Sequence, residues 1–164
     1  MESVSTKLQR ITEHAKRDSK FVFTNLMHLI DEVFLWEAYR LTRKNGAAGV
    51  DEVTGNGYAE DLSANIRKLY ERLKSGRYKV PYIKRVYIPK DENSERPIGI
   101  PCFEDKIVQK AVAMILGAIY EVDFYEDSYS FRPERSQHMA LQSLRKQCLE
   151  IEVTQVIDAD IEGF

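Results

Sequence analysis

The sequence of 164 residues predicts an α+β fold that combines amphipathic helices with one β-hairpin. Apolar residues recur at helical spacing in three segments, at about residues 25–44, 58–75 and 104–120. Residues 80–101 instead contain two short runs of β-branched and aromatic residues on either side of a polar loop, as in a hairpin. The proportions of hydrophobic residues, 43%, and charged residues, 30%, are ordinary for a globular chain.

The first predicted helix, residues 25–44, follows a polar segment, residues 1–20, in which a short helix is also expected. Thr24 or Asn25 is positioned to cap the predicted helix, because both side chains can accept a hydrogen bond from a backbone amide. The residues from 45 to 50, with the sequence NGAAGV, form a loop whose glycines permit the close approach of another backbone segment.

Three further helices are predicted downstream of this loop. Helix 58–75 has an apolar stripe of leucine and isoleucine, and Gly76 is placed to end it. Helix 104–120 has so broad an apolar face that we expect burial on more than one side. Ser136 is expected to cap a fourth helix at about residues 137–149.

The predicted hairpin consists of strands Val80–Pro89 and Arg96–Pro101, joined by the polar loop Lys90–Glu95. It carries four cations on or beside its turn, namely Lys84, Arg85, Lys90 and Arg96. A hairpin with this charge can contact a triphosphate or a nucleic-acid backbone. The acidic residues of the loop are equally consistent with an ordinary solvated hairpin.

The last segment, Val153–Ile161, alternates in polarity like a strand. Asp158 and Asp160 are two residues apart, so in a strand both carboxylates point to the same face. Two carboxylates on one face are costly unless they are solvated, paired or bound to a metal ion. Spacing alone is compatible with a metal site and with two exposed aspartates, which is the commoner case.

Charge is distributed unevenly along the chain. The formal net charge of −2 argues against a nucleic-acid-binding protein. Residues 1–110, however, contain 20 basic and 16 acidic side chains, and residues 67–85 contain eight basic residues with Glu71 as their one acidic residue. Three tyrosines lie among these cations. This stretch indicates a phosphate-binding surface or, equally, a solvated helix face followed by a strand.

Several classes of protein are disfavoured by what the sequence contains. Cys102 and Cys148 are far apart, which predicts free thiols in a reducing cytoplasm rather than a disulfide or a zinc site. No apolar run has the length of a membrane span, so no membrane partner is expected. Neither a phosphate-binding Walker loop nor a Gly-x-Gly-x-x-Gly motif occurs.

Four blocks of sequence, in order, resemble the bacterial group II intron reverse transcriptases over about residues 25–164. The first block contains Trp36, Ala38 and residues 44–51 (KNGAAGVD), and the second runs from Tyr87 to Pro101 with Asp105 and Gln109. The others are residues 130–136 (SFRPERS) and residues 158–164 (DADIEGF). The resemblance implies polymerase fingers, made of helices and a β-hairpin, at residues 21–152. It also implies the first strand of the palm at 153–164 and an N-terminal extension at 1–20.

The resemblance implies a role for individual residues. Asp160 matches the first catalytic aspartate, which binds Mg²⁺ together with the backbone carbonyl of Ile161. Lys90 and Arg96 match the cations that hold the triphosphate of the incoming deoxynucleotide (dNTP). Contacts with the template RNA are implied for a larger set, namely Lys84, Arg85, Gly99, Ile100, Pro101, Arg132 and Pro133.

The sequence also departs from the pattern of this family. Ser130 and Glu134 stand where the family usually has glycines, and Glu162 replaces a lysine. A carboxylate at position 134 would repel a phosphate backbone, which puts template affinity in doubt. A two-metal site needs carboxylates beyond those of one strand, so we expect these 164 residues alone not to polymerise nucleotides.

The expected partners are a template RNA, intron RNA, a DNA primer and dNTPs. An unpaired palm strand would also present an edge through which two copies could form a homodimer. Two alternatives remain open, an RNA-binding module without catalysis and a remnant that binds nothing. Retron, diversity-generating and CRISPR-associated reverse transcriptases share the same blocks, so the type of parent enzyme is not decided by these residues.

Overall fold

The computed structural model describes residues 2–18, 20–91, 94–150 and 153–161. These residues form six α-helices and one two-stranded antiparallel sheet, which confirms the α+β class. The chain divides into two compact units, Met1–Val122 and Asp123–Phe164. Among the described residues, no helix combines the length and the apolar character that crossing a bilayer requires.

The first unit contains five of the helices. Their bounds are Val4–Arg17 (α1), Glu32–Leu41 (α2), Gly55–Ala59 (α3), Leu62–Lys74 (α4) and Phe103–Tyr120 (α5). The expected helix in the N-terminal segment is thus formed as α1, whereas the short helix α3 was not predicted. The C-terminal limit of α4 agrees with the prediction, because Gly76 adopts a positive φ of 68° just after it.

Helix α2 is shorter than the predicted helix 25–44. It begins after Asp31, whose carboxylate accepts a hydrogen bond of 2.9 Å from the amide of Phe34. Asn25, the predicted cap, instead has a left-handed backbone before a single 3₁₀ turn at Leu26–Leu29. The helix ends at Leu41, and Lys44 donates hydrogen bonds to the carbonyl groups of Tyr39 and Arg40 in its last turn and of Thr42, the residue after it. Side-chain caps therefore set both limits of this helix.

The core of the first unit joins α1, α2, α4 and α5. The largest fully buried side chains belong to Phe34, Leu35, Ile66, Leu69, Phe103, Cys102 and Ile107. Ile11 brings α1 into this core, and Thr12 donates a hydrogen bond of 3.0 Å to the carbonyl of Ala118 in α5. Burial of these apolar side chains, worth about 2 kcal/mol each, is the main stabilising contribution.

One buried cation also ties α1 to the start of α2. Lys7 is 9% exposed, and its ammonium group lies 2.5 Å from the carboxylate of Asp31. Burial alone would raise the pKa of Asp31, but the hydrogen bonds from Lys7 and the Phe34 amide hold it below its usual value. The capping carboxylate therefore remains ionised at neutral pH.

The broad apolar face of α5 is buried on one side only. Ile107, Ala111 and Ile115 are buried, whereas Val112 and Leu116 are each more than 40% exposed. The prediction that this helix is covered on several sides is therefore wrong for the described residues. Within the first unit, helices α1 and α2 both pack against α5.

The hairpin is formed by β1, Lys84–Asp91, and β2, Ser94–Ile100. Its strands pair antiparallel from Lys84 opposite Ile100 to Asp91 opposite Ser94. Pairing therefore extends into the predicted polar loop, of which residues 92 and 93 lie outside the described residues. At the other end, residues 80–83 form no ladder although they read as strand, because nothing in the described chain pairs with them.

The second unit contains a loop and helix α6, Gln137–Glu150. Ser136 caps this helix as predicted, since its hydroxyl accepts a hydrogen bond of 3.3 Å from the amide of Met139. Residues 153–161 do not form the predicted palm strand and are exposed throughout. A strand is stabilised only by a neighbour, and the described residues supply no ladder for this segment. The homodimer that would use its edge stays a prediction.

Candidate nucleic-acid interface

The register of the hairpin determines where its four cations lie. Lys84 is opposite Ile100 and Arg96 is opposite Ile88, so these two cations share one face. Arg85 is opposite Gly99 on the other face. Lys90 lies at an irregularity in the ladder between Pro89 and Asp91.

The four cations therefore form two pairs rather than one group. Lys84 and Arg96 are separated by four ladder positions, which corresponds to about 13 Å along the strands. Lys90 and Arg96 lie at the turn, whereas Lys84 and Arg85 lie at the base on opposite faces. All four side chains are exposed, and none is paired with a carboxylate of the described residues.

A buried carboxylate fixes the segment that leads into β1. The hydroxyl of Tyr78 donates a hydrogen bond of 3.0 Å to Asp105 Oδ1, and the amide of Gln109 donates one of 2.6 Å to Asp105 Oδ2. Asp105 is 4% exposed. Burial, followed by the hydrogen bond to Asp105, raises the pKa of Tyr78, so the phenol stays protonated.

The segment that leaves β2 is fixed by a contact between backbones. Cys102 is buried directly before α5, and Gly49 of the NGAAGV loop packs against its main chain. A Cβ atom at position 49 would lie 2.7 Å from both the N and Cα atoms of Cys102. Lys106 also donates a hydrogen bond of 2.6 Å to the carbonyl of Ala47 in this loop. The prediction that this loop permits a close approach of another backbone segment is confirmed.

The remaining predicted template contacts of β2 lie next to this attachment. Gly99 is exposed, while Ile100 and Pro101 are half-buried. A Cβ atom at position 99 would lie 2.7 Å from the Cγ2 atom of Ile83, so the chain entering β1 passes close to the end of β2. These three residues are thus accessible only in part, and their contact with a template stays a prediction.

In the second unit, Arg132 holds its own loop together. Its guanidinium donates hydrogen bonds of 2.7 Å and 2.8 Å to the carbonyls of Tyr125 and Ser128. The same group lies over the ring of Phe124, 5.1 Å from the centroid. Pro133 beside it is exposed. The structure thus gives Arg132 a role in shaping the loop that its motif did not indicate.

Glu134 occupies a left-handed backbone conformation, with φ of 57°. Such a conformation costs a non-glycine residue about 1 kcal/mol. Replacing Glu134 with glycine is therefore expected to stabilise the loop by about 1 kcal/mol. Amide hydrogen exchange over residues 124–135 measures this change.

Ser130 provides the matched control for Glu134. Ser130 is the other position at which the family that this sequence resembles usually has glycine, but the φ angle of Ser130 is not positive. Ser130→Gly should increase exchange, because glycine adds conformational freedom to the unfolded loop without relieving strain. Equal effects of the two substitutions would contradict this explanation.

The predicted metal ligands lie in the extended segment at residues 153–161. Asp158 and Asp160 are exposed, and the carboxylate of Asp160 accepts a hydrogen bond of 2.9 Å from the amide of Ile161. The described residues contain no group of three or more His, Cys, Asp and Glu side chains that could hold a metal ion. Mg²⁺ prefers oxygen ligands and keeps several waters, so a carboxylate and a carbonyl could supply part of its octahedral shell, and the Mg²⁺ site stays a prediction. Residues 162–164 of the motif lie outside the described residues.

The role of Tyr78 and Gln109 as partners of Asp105 was not foreseen from the sequence. The spacing of Asp105 and Gln109 is a signal for it, because side chains four residues apart on a helix are neighbours. No comparable signal exists for Tyr78, which is 27 residues from Asp105 along the chain.

Comparison with known proteins gives several similar chains. No family model matches the chain. Protein YkfC of Escherichia coli (strain K12) is 35% identical over 168 residues, which cover 98% of this chain and 44% of that protein. The group II intron-encoded protein LtrA of Lactococcus lactis subsp. cremoris is 36% identical over 145 residues, or 85% of this chain and 24% of LtrA.

A eukaryotic sequence is similar as well. An uncharacterized 91 kDa protein in the cob intron of Schizosaccharomyces pombe is 30% identical over 148 residues, which cover 87% of this chain and 18% of that protein. The chain therefore spans less than half the length of each of these three relatives.

Proposed function

The chain belongs to the family of group II intron-encoded reverse transcriptases and maturases, and we propose that it supplies the nucleic-acid and nucleotide contacts of such an enzyme. The observation that carries this proposal is the hairpin, whose four exposed cations lack carboxylate partners among the described residues. Unpaired cations on a fixed hairpin favour phosphate groups as ligands.

The division of these cations suggests two contacts with different ligands. Lys90 and Arg96 at the turn are proposed to bind the triphosphate of an incoming dNTP. Lys84 and Arg85 at the base are proposed to bind the backbone of a template RNA, next to residues 99–101 of β2. The networks around Asp105 and Gly49 support this assignment, because they hold both ends of the hairpin on the helical core.

The catalytic part of the proposal concerns Asp160. In a complete RNA-directed DNA polymerase, this carboxylate and the carbonyl of Ile161 would be ligands of Mg²⁺, which activates the primer hydroxyl and neutralises the leaving pyrophosphate. The carboxylates needed to complete such a site are not among the described residues. We therefore propose that residues 1–164 bind RNA but do not extend a primer. The fingers at 21–152 and the palm beginning at 153 remain part of this proposal.

A second candidate function is RNA binding without catalysis. It is favoured by the exposure of Asp158 and Asp160, which are not grouped with other metal ligands of the described residues, whereas the hairpin is formed. The names of LtrA and of the Schizosaccharomyces pombe protein connect these two relatives with introns, which suggests intron RNA as the ligand.

The experiment is RNA binding by this chain across a salt series, with the four hairpin cations replaced by alanine in a second sample. In the absence of nucleotide all four cations are open to RNA phosphates. Each lost contact on single-stranded RNA should reduce the slope of log K against log salt by about 0.7, so the variant's slope should be shallower by nearly three. The matched control replaces four exposed cations elsewhere: Lys16, Arg17, Lys20 and Lys146. This control lowers the net charge by the same amount as the hairpin variant does, and it should bind RNA like the original chain. Equal, weak binding by all three proteins would contradict the proposal.

The two candidate functions differ in their dependence on nucleotide. A dNTP with Mg²⁺ should compete with RNA for Lys90 and Arg96 if the turn binds triphosphate. If the dNTP displaces RNA equally well from a variant with both Lys90→Ala and Arg96→Ala, the turn does not bind the triphosphate. That result would instead support RNA binding without a nucleotide site.

A further inference from the structure

A second concentration of positive charge lies on α4 and the residues directly after it. We call it the α4 basic surface, and it consists of Arg67, Lys68, Arg72, Lys74, Arg77 and Lys79. We propose that this surface binds the phosphate backbone of double-helical RNA, independently of the hairpin. The choice of RNA rests on the proposed function, whereas the choice of a double helix rests on the contacts described below.

The surface exists because α4 is amphipathic. Ile66, Leu69 and Leu73 are buried on one side of the helix, so the residues between them project to the opposite side. Arg67 and Lys74 are two turns apart, about 10 Å along the axis. Arg67 and Lys74 lie on one flank of the exposed side and Lys68 and Arg72 on the other, so the cations cover an area rather than a single point.

The residues after α4 extend this surface beyond the end of the helix. The amides of Arg77 and Tyr78 donate hydrogen bonds of 2.9 Å and 3.0 Å to the carbonyl of Arg72, around the positive φ of Gly76. The hydroxyl of Tyr78 is in turn bound to Asp105. These hydrogen bonds fix the backbone from which the side chains of Arg77 and Lys79 project, at the C-terminal end of α4.

Few carboxylates neutralise the surface. Glu71 lies 3.4 Å from Arg67, and Glu104 lies 2.5 Å from Arg72. The other four cations have no carboxylate partner among the described residues: Lys68, Lys74, Arg77 and Lys79. The surface therefore has an excess of four positive charges, in a chain whose formal net charge is −2.

A cavity of about 250 Å³ lies within this surface. Lys68 and Arg77 contribute cationic groups to its lining, while Glu71 and Glu104 in the same lining are each engaged by an arginine. Asn65 at the cavity uses its amide to bind the carbonyl of Tyr58. The cavity thus offers two unpaired cations to one anionic group of a ligand, which suits a backbone phosphate.

The aromatic rings of the surface favour a double helix over a single strand. Proteins that bind single strands stack bases on free aromatic rings. Here Lys74 lies over the ring of Tyr70, 5.5 Å from its centroid. Arg72 lies 5.7 Å from the ring centroid of Tyr78, which is also tied to Asp105. With both rings occupied, the surface presents charge without a stacking platform.

The test replaces Lys68, Lys74 and Lys79 with alanine, which leaves both ion-paired arginines in place. The probes are a 20-base-pair RNA duplex and poly(U) of equal length, each titrated at 50 mM and 150 mM salt. Three lost duplex contacts change the slope by about 2.7. The original chain should therefore lose about 20-fold more duplex affinity than the variant across this salt range. The variant and the original chain should have the same affinity for poly(U).

Controls separate this inference from the proposed function. A Lys16→Ala, Arg17→Ala, Lys20→Ala variant loses the same charge elsewhere and should bind the duplex like the original chain. Loss of duplex affinity in the α4 variant alone would support this inference, whereas the function proposed for the hairpin is contradicted if the hairpin variant keeps its full affinity for poly(U). Unchanged duplex binding by the α4 variant would overturn the inference, whatever the hairpin variant does. Equal loss for poly(U), or an equal effect on a DNA duplex, would overturn the assignment to double-helical RNA.

Discussion

Replacing Gly49 with alanine is expected to destabilise the protein by about 3 kcal/mol, as judged by urea unfolding. The added methyl group would lie 2.7 Å from the N and Cα atoms of Cys102 and 3.0 Å from its sulfur. Main-chain atoms cannot rotate away, and Cys102 is fixed between the hairpin and the buried Phe103. The loop and the start of α5 would have to separate to admit one carbon atom.

Gly117 provides the control for this substitution. It lies in α5, and apart from its chain neighbours and the backbone of its own helix, no described atom lies within 4 Å of the position where its Cβ would be. Gly117→Ala should therefore stabilise the protein by about 1 kcal/mol, since alanine favours a helix over glycine. If Gly49→Ala unfolded at the same urea concentration as the original chain, the close backbone contact would not exist in solution.

Replacing Asp105 with alanine is also expected to cost about 3 kcal/mol. The substitution removes the acceptor of two hydrogen bonds and leaves the hydroxyl of Tyr78 and the amide of Gln109 without their partner. Asparagine is the milder substitution, because its carbonyl oxygen can still accept the hydrogen bond from Tyr78. Asp105→Asn should therefore lose less stability than Asp105→Ala.

A double-mutant cycle with Tyr78→Phe tests whether this contact is the cause. If the hydrogen bond couples the two residues, the loss in the double variant should be smaller than the combined losses of the single variants by at least 0.5 kcal/mol. Strictly additive losses would show that Asp105 acts on stability without Tyr78. Because Tyr78 leads into the hairpin, the Asp105→Ala variant should also bind RNA less tightly at a temperature where it is still folded.

Local sequence was sufficient to predict the helices that have a regular apolar stripe and a cap close by in the chain. The apolar stripe of α4 is continuous, and Gly76 supplies the positive φ that ends the helix, so both were predictable. Ser136 caps α6 for the same local reason. The family was also predictable, because four blocks in a fixed order are far more specific than any one of them, and the intron-encoded relatives confirm it.

Tertiary structure decided what depends on partners distant in the sequence. Residues 80–83 and 153–161 alternate like strands, yet a strand forms only where another strand completes its hydrogen bonds. The register of the hairpin divided its four cations into two pairs, a division that composition cannot reveal.

Several side chains likewise acquired their roles from contacts that no motif encodes. Arg132 shapes its own loop, and Asp105 secures the start of the hairpin through Tyr78. By itself, then, the sequence predicted most of the helices, the hairpin and the family, but neither helix α3 nor the limits of α2. Only the tertiary structure decided which cations stand together and which charged groups are buried, because burial and hydrogen bonding depend on residues far apart in the chain.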